Sequence, residues 1–234
     1  MYSTDKANFK ANVSKAYSSG SKYINETGSY RAMIEYAYWE ENHFGGKDLV
    51  IHLLDESEKT AKLNITYEND KGERQYGANV LDALIVISDA KKGLTAASAT
   101  AMIYSWVDKS VVEQSVNGCP ELTGKWFEFL LKERKHAYIG KTGDKAGQVV
   151  KQETVTISSI FQDKTLLSAL EIMDKVTIAE EYNKQKAYLD ANPVYETDNY
   201  KKFIVNGAAP QQSAGSYGSV PEPIAKDLED DLPW

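Results

Sequence analysis

Short alternating runs closed by glycine-rich turns constrain this chain more than any other feature. From Tyr30 to Trp39, Tyr30, Ala32, Ile34, Tyr36 and Tyr38 share one parity, and Arg31, Met33, Glu35, Ala37 and Trp39 the other. A period of two belongs to a β-strand, so this segment predicts a strand with a row of aromatics on one face. Gly45-Gly46 marks a turn. Asp48 to Asp55 (DLVIHLLD) reads as a second strand, Lys62 to Tyr67 as a third, and Asn69-Asp70-Lys71-Gly72 as the next turn.

Further along, Val80, Leu81, Leu84, Ile85 and Ser88 follow helical spacing, which predicts a helix over Ala78 to Ala90. Residues 91–121 are ambiguous. Lys125 to Lys132 (KWFEFLLK) and Thr154 to Phe161 read as strands, with a basic loop or hairpin containing three glycines between them. Leu166 to Leu189 reads as one or two helices stopped by Pro193. Near the N-terminus a short helix is expected around Lys6 to Tyr17, ended by Ser18-Ser19-Gly20. The order fits a mainly β chain with helical insertions (α+β). Its expected architecture is an OB-like, five-stranded antiparallel barrel in which a helix interrupts the strand series.

Composition changes sharply at Asn206. Residues 206–234 read NGAAPQQSAGSYGSVPEPIAKDLEDDLPW, with too few large apolar residues to build a core. Two units are therefore expected: a folded domain over 1–205, and a disordered linker with an acidic tail over 206–234. The tail carries Glu222, Asp227, Glu229, Asp230 and Asp231 against Lys226, a net of −4. The whole 234-residue chain carries −7, which leaves −3 for residues 1–205. An acidic run ending on Leu232-Pro233-Trp234 has the chemistry of a docking peptide: Trp234 fills an apolar pocket, and the acids face basic residues around it.

Several chemistries lack their sequence signatures. The single cysteine, Cys119, forms no internal disulfide, and one cysteine with three histidines makes a poor zinc set. Cys119 has no basic neighbour to activate it and reads as a bland thiol. Gly140-Lys141-Thr142-Gly143 lacks the leading glycine of a phosphate loop, because position 135 is Lys. No dinucleotide fingerprint, HExxH or Gly-x-Ser-x-Gly occurs. No enzyme activity, cofactor or metal is expected. No apolar run approaches the ~20 residues of a membrane span, and the N-terminus shows no signal-peptide pattern, so a cytoplasmic protein without membrane partners is expected.

Nucleic acid is the chemistry the charge pattern favours. Residues 122–151 hold Lys125, Lys132, Arg134, Lys135, Lys141, Lys145 and Lys151 against Glu128, Glu133 and Asp144, a net of +4 in an acidic chain. Trp126, Phe127, Phe129 and Tyr138 are interleaved with them. Cations neutralise phosphates, and aromatic faces stack on unpaired bases. In KWFEFLLK the Glu128 parity faces outward, which places Phe127 and Phe129 in the core and leaves Trp126 as the stacking candidate. Tyr36 and Tyr38 stand equally as core tyrosines or platforms. Trp39, Lys62, Arg74, Lys125, Lys132, Arg134, Lys135, Tyr138 and Lys141 complete the candidate DNA contacts. Tyr67 and Tyr76, with Lys71 and Arg74 between them, form a second candidate cluster.

The tip Asp227-Leu228-Glu229-Asp230-Asp231-Leu232-Pro233-Trp234 resembles the C-terminus of bacterial single-stranded DNA-binding proteins, which end in acids, an aliphatic residue, Pro and Phe. Trp234 stands where those proteins have Phe. The body looks more like a bacteriophage single-stranded DNA-binding protein with an enlarged OB domain. The resemblance implies a non-enzymatic protein, a monomer or homodimer, that coats single-stranded DNA without sequence preference in replication, recombination and repair. It implies that Asp227, Glu229, Asp230, Asp231, Leu232, Pro233 and Trp234 recruit replication and recombination proteins. The alternatives are a metal-dependent recombination nuclease, or an adaptor that binds no DNA, each carrying a recruitment tail.

Overall fold

The computed structural model describes residues 22–105, 108–140 and 145–205. The expected N-terminal helix, Lys141 and the acidic tip lie outside these residues. The described chain is mainly β with few helices. Its strands are β1 (Gly28–Glu41), β2 (Lys47–Asp55), β3 (Thr60–Glu68), β4 (Ala97–Ser105), β5 (Ser110–Gly118), β6 (Trp126–Ile139), β7 (Val149–Gln162) and β8 (Val194–Glu196). The helices are α1 (Gly77–Ile87), α2 (Ala169–Met173), α3 (Glu180–Ala191) and α4 (Asp198–Tyr200), the last running into a π-helical turn over Lys201–Val205. Among the described residues no helix is long and apolar enough to cross a membrane.

All ladders are antiparallel except β6 with β8. Strand β1 organises them. One edge pairs with β2; the other pairs with β6 over Gly28–Met33 and then with β5 at Tyr38 and Trp39. Between these two partners, loop backbone supplies the bonds. Ile34 donates to the Lys125 carbonyl at 2.9 Å, Gly124 to the Ile34 carbonyl at 2.7 Å, and Cys119 to the Ala37 carbonyl at 2.8 Å. These bonds satisfy the Ile34 and Ala37 backbone groups, each of which would cost about 1–3 kcal/mol if buried without a partner.

The main core lies on one face of this sheet. Alternation delivers Leu49, Ile51 and Leu53 from β2, Ala61, Leu63 and Ile65 from β3, and Phe127, Phe129 and Leu131 from β6. Val80, Leu81, Leu84 and Ile87 of α1 close over them. Phe127 and Phe129 are core, as the Glu128 parity predicts. Helix α1 packs against both β3 and β7, and among the described residues no ladder joins those two strands.

The structure changes one expectation, the strand count, and decides three points that the sequence left open. The sheet has eight strands in hydrogen-bonded contact rather than five. Residues 97–118 form a complete hairpin, β4–β5. Their alternation is faint because small residues, Ala97, Ser98, Ala99 and Thr100, fill half of β4. The segment after KWFEFLLK is a hairpin, since β6 and β7 remain paired out to Ile139 and Val149. The helices after Leu166 are two, α2 and α3, ahead of Pro193. Ser168 starts α2 with a capping box, accepting from the Glu171 amide while Glu171 accepts from the Ser168 amide.

Gly77 opens α1 against the end of β3, where an added Cβ would lie 2.2 Å from the Thr66 carbonyl oxygen. Helix propensity alone makes Gly→Ala stabilising by about 1 kcal/mol. We expect Gly77→Ala to destabilise by about 1–3 kcal/mol through this clash, read as a lower urea midpoint at unchanged m-value.

Candidate nucleic-acid interface

A β-bulge creates the site. Along β1 and β2, Ile34 faces Leu53 but Tyr36 faces His52, so Glu35 is an extra residue. A bulge exchanges the two faces of the strand beyond it. Ala32 and Ile34 point to the main core before it, and Ala37 and Trp39 after it. Tyr36 and Tyr38 therefore turn onto the opposite, outer face. The single-parity row from Tyr30 to Tyr38 is corrected to two half-rows on opposite faces.

On the outer face, side chains line up across three strands. Tyr36 on β1 faces His52 on β2, and His52 faces Lys62 on β3. The Tyr36 and His52 rings stack with centroids 4.0 Å apart. Tyr38 stacks beside them, 6.1 Å from His52 and 6.5 Å from Tyr36. The Lys62 ammonium sits 5.9 Å from the Tyr38 ring centroid. The next row joins Trp126 on β6 to Met33, Leu54 and Thr60. The Arg31 guanidinium lies over Trp126 at 4.8 Å and is held by Asp163 at 2.6 Å and by Glu56. Those two carboxylates keep its pKa above the ordinary arginine value.

Hairpin β4–β5 borders this face. Ala101, Ile103 and Val116 pack on Tyr36, Tyr38 and Val50, and the Tyr36 hydroxyl donates to the Met102 carbonyl at 2.8 Å. Burial pushes the Tyr36 hydroxyl up to about 12 and raises that of Tyr38 as well. The Tyr38 hydroxyl and His52 Nε2 are buried and find no hydrogen-bond partner among the described residues. Burial, with a smaller push from Lys62, brings His52 down to about 4.

A second surface lies on the β6–β7 hairpin. Alternation puts Lys132, Arg134, His136 and Tyr138 on the same face of β6 as Trp126. His136 stacks on Tyr138 at 6.1 Å, and its Nδ1 lies 3.2 Å from the Thr197 hydroxyl. Tyr138 is exposed. Lys135, on the other parity, lies 3.5 Å from Glu133. Between the two surfaces α3 covers β6: Tyr182 and Leu189 pack with Leu130 and Phe161, and the Lys132 ammonium lies over the Tyr188 ring at 5.6 Å.

The structure therefore gathers half-buried Tyr36 and Trp126 with exposed Lys62 on one face, and Lys132, Arg134 and Tyr138 along the hairpin arm, whereas Tyr38 is only 2% exposed and packs as core with Val50 and Ala101 under the β4–β5 hairpin. It places the remaining described candidates elsewhere. Trp39 faces the core, edge-on to Tyr67, with its indole N–H donating to the Thr95 carbonyl at 3.0 Å. Arg74 ties a turn to α1 through Asp82 at 2.5 Å. Lys125 donates to the Ser88 carbonyl at 2.6 Å, beyond the far end of α1. Tyr67 and Tyr76 pack against the main core, so the second candidate cluster is structural. Lys141 lies outside the described residues. Sequence reading missed His52 and Arg31. Their only signal is cross-strand register, which exists once the bulge is placed.

Cys119 is buried, and burial with Glu121 nearby drives its thiol up to about 12. Among the described residues no group of three or more His, Cys, Asp or Glu side chains is placed to hold a metal ion.

The His52 shift has a thermodynamic consequence. An unfolded histidine takes a proton near pH 6.5, whereas folded His52 resists it down to about 4. The associated stability is full above pH ~6.5 and is lost as pH falls toward 4, by up to about 3 kcal/mol. We expect this slope in urea unfolding of the native chain and its absence in His52→Gln; parallel pH profiles would contradict it. No protein-family model and no curated protein matches this chain.

Proposed function

We propose that the protein binds single-stranded DNA without sequence preference, using the outer face of β1–β3 and the β6–β7 arm. The observation that carries this reading is the cross-strand row of Tyr36, His52 and Lys62, continued by Trp126. Stacked π-faces beside cations suit unpaired bases, and each stacked base contributes about 1–3 kcal/mol. The basic arm extends a phosphate track beyond the platform. The order β1-β2-β3-α1-β6-β7 follows an OB-type series, with β4–β5 inserted between the helix and the fourth barrel strand. We read α1 as the plug of an OB-type barrel between β3 and β7. A coating protein of this kind serves replication, recombination and repair of phage DNA in the host cytoplasm. Its acidic tip, Asp227 to Trp234, recruits the partner proteins.

Anisotropy with labelled oligothymidine and a matched duplex tests this. We expect strong preference for the single strand. Tyr36→Ala weakens binding by roughly 5- to 150-fold, the equivalent of one lost stack. Lys62→Ala weakens it less and lowers the salt slope by about 0.7. Equal affinity for both DNAs overturns the reading. The tail competes electrostatically with DNA for the same cations, so removing residues 222–234 tightens binding at low salt and changes little at high salt. A truncated chain with unchanged low-salt affinity contradicts that competition.

A further inference from the structure

Tyr38 stands in the aromatic cluster of the outer face, yet hairpin β4–β5 lies over it. Ala101 packs on Tyr38 and Val50, with Ile103 and Val116 beside them. Tyr38 and Val50 are both buried beneath this cover. The cover is held unevenly. At its base the Trp39 indole N–H donates to the Thr95 carbonyl and the Thr95 amide to the Glu121 carboxylate, both at 3.0 Å. There β5 also joins β1, at Tyr38–Gly118 and Trp39–Asn117. Among the described residues β1 is the one strand outside the hairpin that pairs with it. Past the base, Ala101, Ile103 and Val116 rest on the rings, and the Tyr36 hydroxyl donates to the Met102 carbonyl. The hairpin's other face exposes Met102, Tyr104 and Val111.

We propose that β4–β5 is a lid over a second base-binding site, formed by Tyr38 and His52, and that it lifts when single-stranded DNA binds. This inference rests on the DNA reading of the outer face and adds its regulation. The hairpin can move as a unit, because its own ladder runs unbroken from Ala97–Gly118 to Ser105–Ser110. A few apolar contacts and one neutral hydrogen bond separate at lower free energy than the whole fold, which is the condition for local opening. Lifting uncovers the Tyr38 ring beside His52 and Tyr36, at 6.1 and 6.5 Å, so the platform gains a ring. It also frees the Tyr38 hydroxyl and His52 Nε2, which have no hydrogen-bond partner among the described residues, to bond a base edge. The closed lid lowers the apparent DNA affinity in proportion to the fraction of chains that are open.

The first readout needs no DNA. Val50→Cys puts a thiol under the lid, and native Cys119, buried in the main core, is the internal control. With a maleimide under native conditions and peptide mapping, position 50 should be labelled roughly tenfold faster than Cys119, since one needs the lid to lift and the other needs the core to open. Equal rates overturn the lid. The second readout is oligothymidine affinity. Ile103→Ala trims the underside of the lid and should tighten binding by roughly three- to tenfold, the opposite of losing a DNA contact. Unchanged or weaker affinity overturns the covered base site. Fast labelling at position 50 in a chain that binds no single strand leaves the lid standing and overturns the DNA reading of the face.

Discussion

The structure depends on how β1 satisfies its two edges. A fourteen-residue strand with one flat register would present a single face and invite a single neighbour on each side. Instead β1 pairs with β2 along one edge and divides the other between β6 and β5, with loop amides and carbonyls bridging the interval. The Glu35 bulge falls in that interval. There the strand bends, changes which residues face the core, and passes from one partner to the next. The turn of Tyr36 and Tyr38 onto the face opposite the main core is a consequence of this local break.

The two faces of β1–β3 have opposite chemistry for that reason. The inner face is aliphatic and closed by α1. The outer face joins rings from β1 and β2 to a cation on β3, with two buried polar atoms that have no hydrogen-bond partner among the described residues. An unpaired buried hydroxyl or imidazole nitrogen costs about 1–3 kcal/mol. Near by, Arg31 is already held by Asp163 and Glu56, so it positions Trp126 more than it supplies free charge. The β6–β7 arm carries Lys132, Arg134, Lys135 and Lys151 against Glu128, Glu133 and Glu153.

Much of this was legible in the sequence. Alternation located β1, β2 and β3, helical spacing located α1, and Glu128 alone was enough to assign Phe127 and Phe129 to the core. What escaped has identifiable causes. The bulge inserts one residue without any glycine to announce it, so Trp39 was grouped with Tyr36 and Tyr38 although it faces the core. The β4–β5 hairpin was obscured by small residues that give alternation no contrast. Arg74 and Lys125 read as available cations because their partners, Asp82 and the Ser88 carbonyl, are brought near only by the fold. Cross-strand neighbours such as His52, which stands between Tyr36 and Lys62, have no sequence signature at all before the register is known.

The most direct test of the central claim is photocrosslinking of an iododeoxyuridine oligonucleotide to the full chain, with the modified residues identified by mass spectrometry. The account predicts adducts at Tyr36, His52 or Trp126, with others along Arg134 to Tyr138. Adducts confined to surfaces away from both, or none under conditions where the oligonucleotide is bound, would contradict it.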